Sequence, residues 1–322
     1  MQITKSEILD DLQENQEFIE RRLRHQPKLR NPMDEESYSF FQIMQEKTER
    51  PVIGHPYQAK VRPGIYDLHY GFDANKPPNP VSLSSDKTYV LRSESTEKVR
   101  SAIKDFYEHQ EETKDLGLMN KYGILLHGEP GSGKSSLIRT LISEAVENER
   151  VVFLAQSLYR LHESLQSFRA LEPDRDLIVV LEDIDEMVRS YGAQYFLEML
   201  DGSASVNNVL FLASTNDYET MPAKIKRPGR FDKKIHVPNP DAQLRLEYLE
   251  KIIPDHKEDH RVIVEATEGF SFADLRETIV STYSYAQPLS ESIAEVRQHR
   301  EESKHSNKAW GSSSEVCPDL PK

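Results

Sequence analysis

Gly128-Glu129-Pro130-Gly131-Ser132-Gly133-Lys134-Ser135-Ser136, residues 128–136, is the stretch whose reading decides the fold. It fits G-x-x-x-x-G-K-[ST] through Gly128, Gly133, Lys134 and Ser135. The apolar run Ile124-Leu125-Leu126 precedes it, and Leu137, Ile138, Leu141, Ile142 and Ala145 follow at helical spacing. A strand, a glycine loop and a helix in that order turn a string match into a phosphate site. The backbone must curl around phosphate oxygens, and a Cβ would block that approach. Inward-pointing N–H groups and the positive end of the following helix then favour an anion. Lys134 would add a point charge at the β- and γ-phosphates, and Ser135 a hydroxyl for Mg²⁺. All nine residues from Gly128 to Ser136 are therefore candidate phosphate-binding positions.

Outward from this loop, apolar strands alternate with helical patterns. Val151–Ala155, Leu177–Leu181, Val209–Ala213 and Ile235–Val237 read as strands. Between them lie the helical patterns Leu158/Leu161/Leu165/Phe168 and Tyr195/Phe196/Met199/Leu200, and before the loop Val99/Ala102/Ile103/Phe106. Such alternation predicts an α/β fold with a parallel sheet covered by helices on both faces. Ligands of these sheets sit at the carboxyl ends of the strands. After Pro240 the strands stop, and Leu244/Leu249/Ile252/Ile253 and Phe272/Leu275/Ile279/Val280 predict a small helical lid. The predicted organisation is an N-terminal helix and accessory region of mixed or β character over 1–92, a nucleotide-binding domain over 93–239, a lid over 240–287 and a mobile extension over 288–322.

The N-terminal region is read in pieces. Thr4 and Glu7 form a capping box before Ile8, Leu12, Ile19 and Leu23, which predicts an amphipathic helix over 4–24. From 25 to 92 frequent prolines break any long helix. Tyr57–Val61 and Thr88–Leu91 are candidate strands there, and Tyr66, Tyr70 and Phe72 a candidate small core. A net charge of −13 argues against a general binder of nucleic acid or membrane surface. The single cysteine, Cys317, forbids an intrachain disulfide. No apolar run approaches the roughly 20 residues of a membrane span, and a cytoplasmic location is expected.

Two acids end the third apolar strand in LEDID, 181–185. At that position Glu182 would hold Mg²⁺, and Asp183 would polarise the water that attacks a nucleoside triphosphate. Asn216, at the end of the neighbouring strand, would orient the same water. RPGRFD, 227–232, places Arg227 and Arg230 three residues apart, and composition alone reads it as a solvated turn.

The segments GILLHGEPGSGKSS, VVLEDID, EMLDG, VLFLASTND, KRPGRFD, IHVPNPD and EGFSFADL, in this order between about residues 96 and 285, resemble an ATPase of the AAA family. The resemblance implies ATP and Mg²⁺ as ligands, Asn216 as the water-sensing asparagine, and Arg227 and Arg230 as arginine fingers reaching into a neighbouring subunit. It also implies a homo-oligomeric ring, a hexamer or a heptamer, that remodels or translocates a protein client. Three features depart from the family pattern. The acids run Glu182-Asp183 rather than Asp-Glu. The pore-loop region reads AQSLYRLHESLQSF without glycine, leaving Tyr159 as its aromatic. The second sensor position falls near Ala273. The acid order and the short segment between Ala155 and Leu177 look like the mitochondrial respiratory-chain assembly chaperones. The competing readings are an ATP-dependent DNA motor or loader, a nucleotide-switched scaffold with little turnover, and a small-molecule kinase, which would leave RPGRFD without a purpose.

Overall fold

The computed structural model describes residues 61–72, 80–81, 91–201 and 207–310, and the structure below is that of these residues. The predicted helix over 4–24 and nearly all of the candidate strands Tyr57–Val61 and Thr88–Leu91 lie outside them.

Six parallel strands form one sheet: β1 (Gly64–Asp67), β2 (Lys121–His127), β3 (Val151–Leu154), β4 (Leu177–Leu181), β5 (Val209–Thr215) and β6 (Lys233–His236). Their order across the sheet is β1-β3-β4-β5-β2-β6. The apolar runs are continuous because both faces are covered, and every residue of β4 and β5 is buried. Successive side chains point to opposite faces. Ile124 and Leu126 accordingly join one core with Val152, Ile178, Val180, Leu210 and Leu212, beneath Val99, Phe106, Ile138 and Leu141. Leu125, Phe153, Val179, Leu181, Phe211 and Ala213 join the other core, with Leu158, Leu165, Phe168 and Phe196. The helices α1 (Glu94–Glu108) and α3 (Lys134–Glu147) cover the first face. The helices α4 (Leu158–Leu171), α5 (Ile184–Tyr191) and α6 (Ala193–Asp201) cover the second. The short α2 (Gln110–Asp115) buries nothing.

The described part of the accessory region belongs to this sheet. β1 pairs in parallel with β3, Ile65 opposite Val152. Tyr66 and Phe72 pack with Phe153 and Phe168 of the second-face core at ring-centroid separations of 5.2–6.1 Å. The Phe72 N–H donates to Ser164 Oγ at 2.9 Å. Tyr66 and Phe72 are thus a core pair, as their apolar rings predict, but the core is that of the α/β domain and not one of their own.

The lid is α7 (Ala242–Ile252), α8 (Lys257–Ala266), α9 (Phe272–Ile279), a π turn (Val280–Ser284) and α10 (Leu289–Trp310). Asp241 caps α7, and Ser271 with Asp274 forms a capping box on α9. Ile293 and Val296 of α10 are buried with Leu249, Ile263, Phe270 and Leu275. The lid core therefore continues past residue 287, and the first part of the expected mobile extension is a packed helix. Ile293 and Val296 are the apolar residues that carry this helix into the lid core, within a stretch whose composition is largely polar.

Candidate functional site

A cavity of about 610 Å³ opens at the carboxyl ends of the strands, between the sheet and the lid. That is the size and place of a small-molecule site in such sheets. Its polar wall is Pro130–Ser136 with Asp183 and Asn216. Its apolar wall is Leu91, Val237, Pro238, Leu244, Tyr248 and Ile252.

The glycine loop is shaped as the sequence requires. Gly131 and Gly133 hold φ of 77° and 103°, a region that disfavours side chains. A Cβ on Gly131 would lie 2.7 Å from Ala273 Cβ, so the lid packs directly on the loop. The Phe272 N–H completes that contact, donating to Gly131 O at 3.0 Å. Lys134 is buried, and its Nζ donates to Gly128 O and Glu129 O, each at 2.9 Å. Burial pushes its pKa below the ordinary lysine value, while Asp183, Asp185 and Glu129 pull it back up. Ser132 Oγ is buried with no partner, and the first N–H groups of α3 have no intrahelical acceptor. A phosphate chain fits this cradle, since it supplies acceptors for these donors and a charge for Lys134.

Across the cavity, Asn216 Nδ2 donates to Asp183 Oδ1 at 2.9 Å. Asp183 holds a left-handed backbone at φ 50°, and its N–H is 3.2 Å from Ser214 Oγ. Behind them is Asp185, which the sequence reading left without a role. It accepts from Thr215 Oγ1 at 2.8 Å and the Asn216 N–H at 3.3 Å, and pairs with Arg189 at 2.6 Å. Burial would raise the Asp185 pKa, but these hydrogen bonds outweigh it and hold the carboxyl below its ordinary value. The Asn216 turn is thereby anchored to the start of α5.

The other expected residues are placed differently. Glu182 lines a second cavity of about 480 Å³ with Ala155, Gln156, Glu186 and Tyr191, and among the described residues only Asp183 lines both cavities. Gly128 contributes its carbonyl to Lys134, and the exposed side chain of Glu129 meets Asn239 Nδ2 at 2.8 Å. Ser135 and Ser136 line the main cavity. Arg227 and Arg230 do not line it. Arg227 is exposed, and Arg230 donates to Lys224 O. Their turn is stapled to the strand that feeds the glycine loop. The Asp232 N–H donates to Gly123 O at 2.8 Å, and Asp232 carboxylate oxygens accept from Gly123 N at 2.9 Å and Gly229 N at 2.8 Å. A Cβ on Gly123 would stand 1.9 Å from Arg230 O, so only glycine admits that backbone. Tyr159, in the first turn of α4, is 54% exposed. Ala273 lines the cavity, and one turn further along α9 so does Arg276. Arg276, Arg139 and the apolar wall were missed in the sequence because helical periodicity reports a core face, not the rim of a cleft.

Residues 124–239 match the model of the ATPase family associated with various cellular activities (AAA). The chain carries an AAA ATPase domain. An ATP-dependent zinc metalloprotease FtsH of Magnetococcus marinus is 28% identical over 246 residues, 66% of this chain and 36% of that protein. A proteasome-activating nucleotidase of Thermococcus kodakarensis is 32% identical over 209 residues, 56% of this chain and 51% of that protein. A cell division cycle protein 48 homolog of Archaeoglobus fulgidus is 28% identical over 278 residues, 70% of this chain and 36% of that protein. The chain thus spans about half or less of the length of these curated relatives. The stretch matched as an AAA ATPase domain holds the glycine loop, both acids, Asn216 and both arginines, while β1 lies before it and the lid after it. Among the described residues, no helix is long and apolar enough to cross a membrane.

Proposed function

We propose that this chain is a Mg²⁺-dependent ATPase whose active site is completed by a neighbouring copy, and that it uses turnover to remodel a protein client. The observation that carries the reading is the Asn216–Asp183 hydrogen bond facing Lys134 and the glycine loop across one cavity. Gly128–Ser136 would hold the triphosphate, with Lys134 balancing its charge, and the apolar wall would take the base. Bound Mg²⁺ would neutralise charge developing on the phosphate oxygens. Ser135 is the hydroxyl in the cavity suited to that ion. Of the two acids assigned from sequence, Asp183 is the one that enters this cavity, so it is the carboxylate available there, and Asn216 fixes its orientation. Glu182 lines the adjoining cavity next to Asp183, and with Ser135 it stays in the proposal as the carboxylate that would hold Mg²⁺, through the ion's waters.

Arg227 and Arg230 are held on a braced turn that does not reach their own chain's cavity, which is what residues serving a neighbour's phosphates require. A homo-oligomeric ring, a hexamer or a heptamer, is part of the proposal, and the outward placement of these arginines supports it. The names of the relatives, which include a protease and an activator of a protease, favour a protein client. The Glu182-Asp183 order and the short Ala155–Leu177 segment keep a kinship with the respiratory-chain assembly chaperones as the finer reading, and a cytoplasmic site of action is part of the proposal. Phosphate release from ATP by the wild type and by Lys134→Ala tests the whole. Release that depends on Lys134 supports the ATPase, whereas equal rates would leave a nucleotide-switched scaffold.

A further inference from the structure

The C-terminal helix α10 reaches the glycine loop through one side chain. Arg300 Nη1 donates to Gly269 O at 2.7 Å and to Asp274 Oδ2 at 2.8 Å. Its other terminal nitrogen lies 3.7 Å from Glu129 Oε2. Its guanidinium also stands 5.5 Å from the centre of the Phe270 ring, and its side chain is 21% exposed. Each acid it meets is attached to a different side of the cavity. Asp274 is the capping-box residue of α9: its Oδ2 accepts from Ser271 N and Ser271 Oγ, each at 2.7 Å. That cap sets the first turn of α9, whose Phe272 N–H grips Gly131 O. Glu129 is the second residue of the glycine loop, and its carboxylate also accepts from Asn239 at the hinge into the lid. Two points of the loop, Glu129 and Gly131, are therefore tied to the lid; Arg300 pairs with Glu129 directly and reaches the Gly131 tie through Asp274, which caps the helix that carries Phe272.

We propose that Arg300 is a positioning residue for the nucleotide: it locks the lid cap and the glycine loop into one unit, so that the C-terminal helix sets how tightly the cavity holds its ligand. The inference rests on the nucleotide reading of the cavity. A planar guanidinium offers several donors in a fixed fork, which is what contacts to a carbonyl and two carboxylates demand. A lysine at the same place would keep the charge and lose the fork. The 2.8 Å bond to Asp274 is charge-assisted and among the strong ones, while the 3.7 Å contact with the exposed Glu129 is a weaker ion pair; both hold the loop and lid together rather than touch the ligand. Arg300 does not line the cavity, so affinity should respond and the chemical step should not.

The test uses the full chain with Mg-ADP binding, read by a fluorescent ADP analogue, and steady-state ATP turnover. Arg300→Ala should weaken ADP and raise KM by about tenfold, with kcat within about twofold of wild type. Arg300→Lys should weaken ADP by about threefold or more, and it keeps the test decisive if the alanine variant does not fold. Glu129→Gln should weaken ADP less than Arg300→Ala does, and the double variant should be no weaker than Arg300→Ala alone, because the two residues act through one contact. Wild-type affinity in Arg300→Lys, a loss confined to kcat, or fully multiplicative losses in the double variant would each overturn the proposal. Failure of the wild type to bind ADP at all would instead strike the nucleotide reading beneath it.

Discussion

Asn216 and Asp183 are joined by a 2.9 Å hydrogen bond between the ends of two adjacent parallel strands. The amide can donate, and an ionised carboxylate can only accept, so the bond orients Asp183 without consuming its charge. If that charge helps activate water, removing it should cost turnover and spare binding. Asp183→Asn is expected to bind ATP like the wild type and to lose kcat by about a hundredfold or more. Asn216→Ala should lose kcat in the same direction. Because the two act as a unit, the double variant should fall no further than the worse single one. Nucleotide titration and single-turnover kinetics check all three, and unchanged kcat in Asp183→Asn would remove it from the role.

Arg230→Ala should retain ATP binding and lose turnover by about 10³-fold, the lower end of what an arginine finger contributes. Lys134→Ala should fail at binding. Each variant keeps what the other lacks. In a mixed ring, nucleotide bound by an Arg230→Ala copy can be served by the arginine of a Lys134→Ala neighbour. Mixing the two inactive variants should therefore restore measurable phosphate release, with a maximum at an intermediate ratio. No recovery at any ratio would mean the arginines do not act across an interface.

The sheet was legible in the sequence because its strands are apolar runs buried on both faces, and those runs contrast with helical patterns on either side. The glycine loop was legible because its spacing encodes backbone shape, which Gly131 and Gly133 confirm by their positive φ. What escaped was everything set by tertiary position. β1 is only four residues, and Gly64 and Asp67 at its ends disguise it. Arg300 sits in a stretch rich in Glu, Ser, Lys and His, and nothing local distinguishes it from its solvated neighbours. Adjacent acids in LEDID give no sign of which one enters the cavity, since successive residues at a strand end point different ways.

Gly123 tests whether the arginine turn depends on the strand beneath it. Its missing Cβ makes room for Arg230 O, and its N–H and C=O both bond to Asp232. Gly123→Ala must push that turn outward. Overpacking of this kind costs about 1–3 kcal/mol, which a urea midpoint would register. The functional prediction is sharper: nucleotide affinity should stay near wild type, since Gly123 does not line the cavity, while turnover in the assembled state should fall toward that of Arg230→Ala. Equal losses in affinity and turnover would point to general unfolding.

Tyr107 offers a test of packing away from the site. Its hydroxyl is buried without a partner, and the Arg150 guanidinium lies 3.6 Å above its ring. Burial pushes the phenol up to about 12, and the nearby Arg150 charge only partly opposes that shift. The folded state therefore holds this proton more tightly than the unfolded chain, whose tyrosine titrates near 10. Between pH 10 and about 12 the unfolded state binds fewer protons, so stability from this residue is intact below pH 10 and is lost as pH rises through that window. Tyr107→Phe keeps the ring under Arg150 and removes both the orphan hydroxyl and the titration. It should be more stable by about 1 kcal/mol at pH 7 and should resist alkaline unfolding better, by up to about 2–3 kcal/mol near pH 12. Urea midpoints of the two proteins at pH 7, 10 and 11.5 would show the gap widening only above pH 10, and a gap that stays constant with pH would mean the phenol ionises as freely in the fold as outside it.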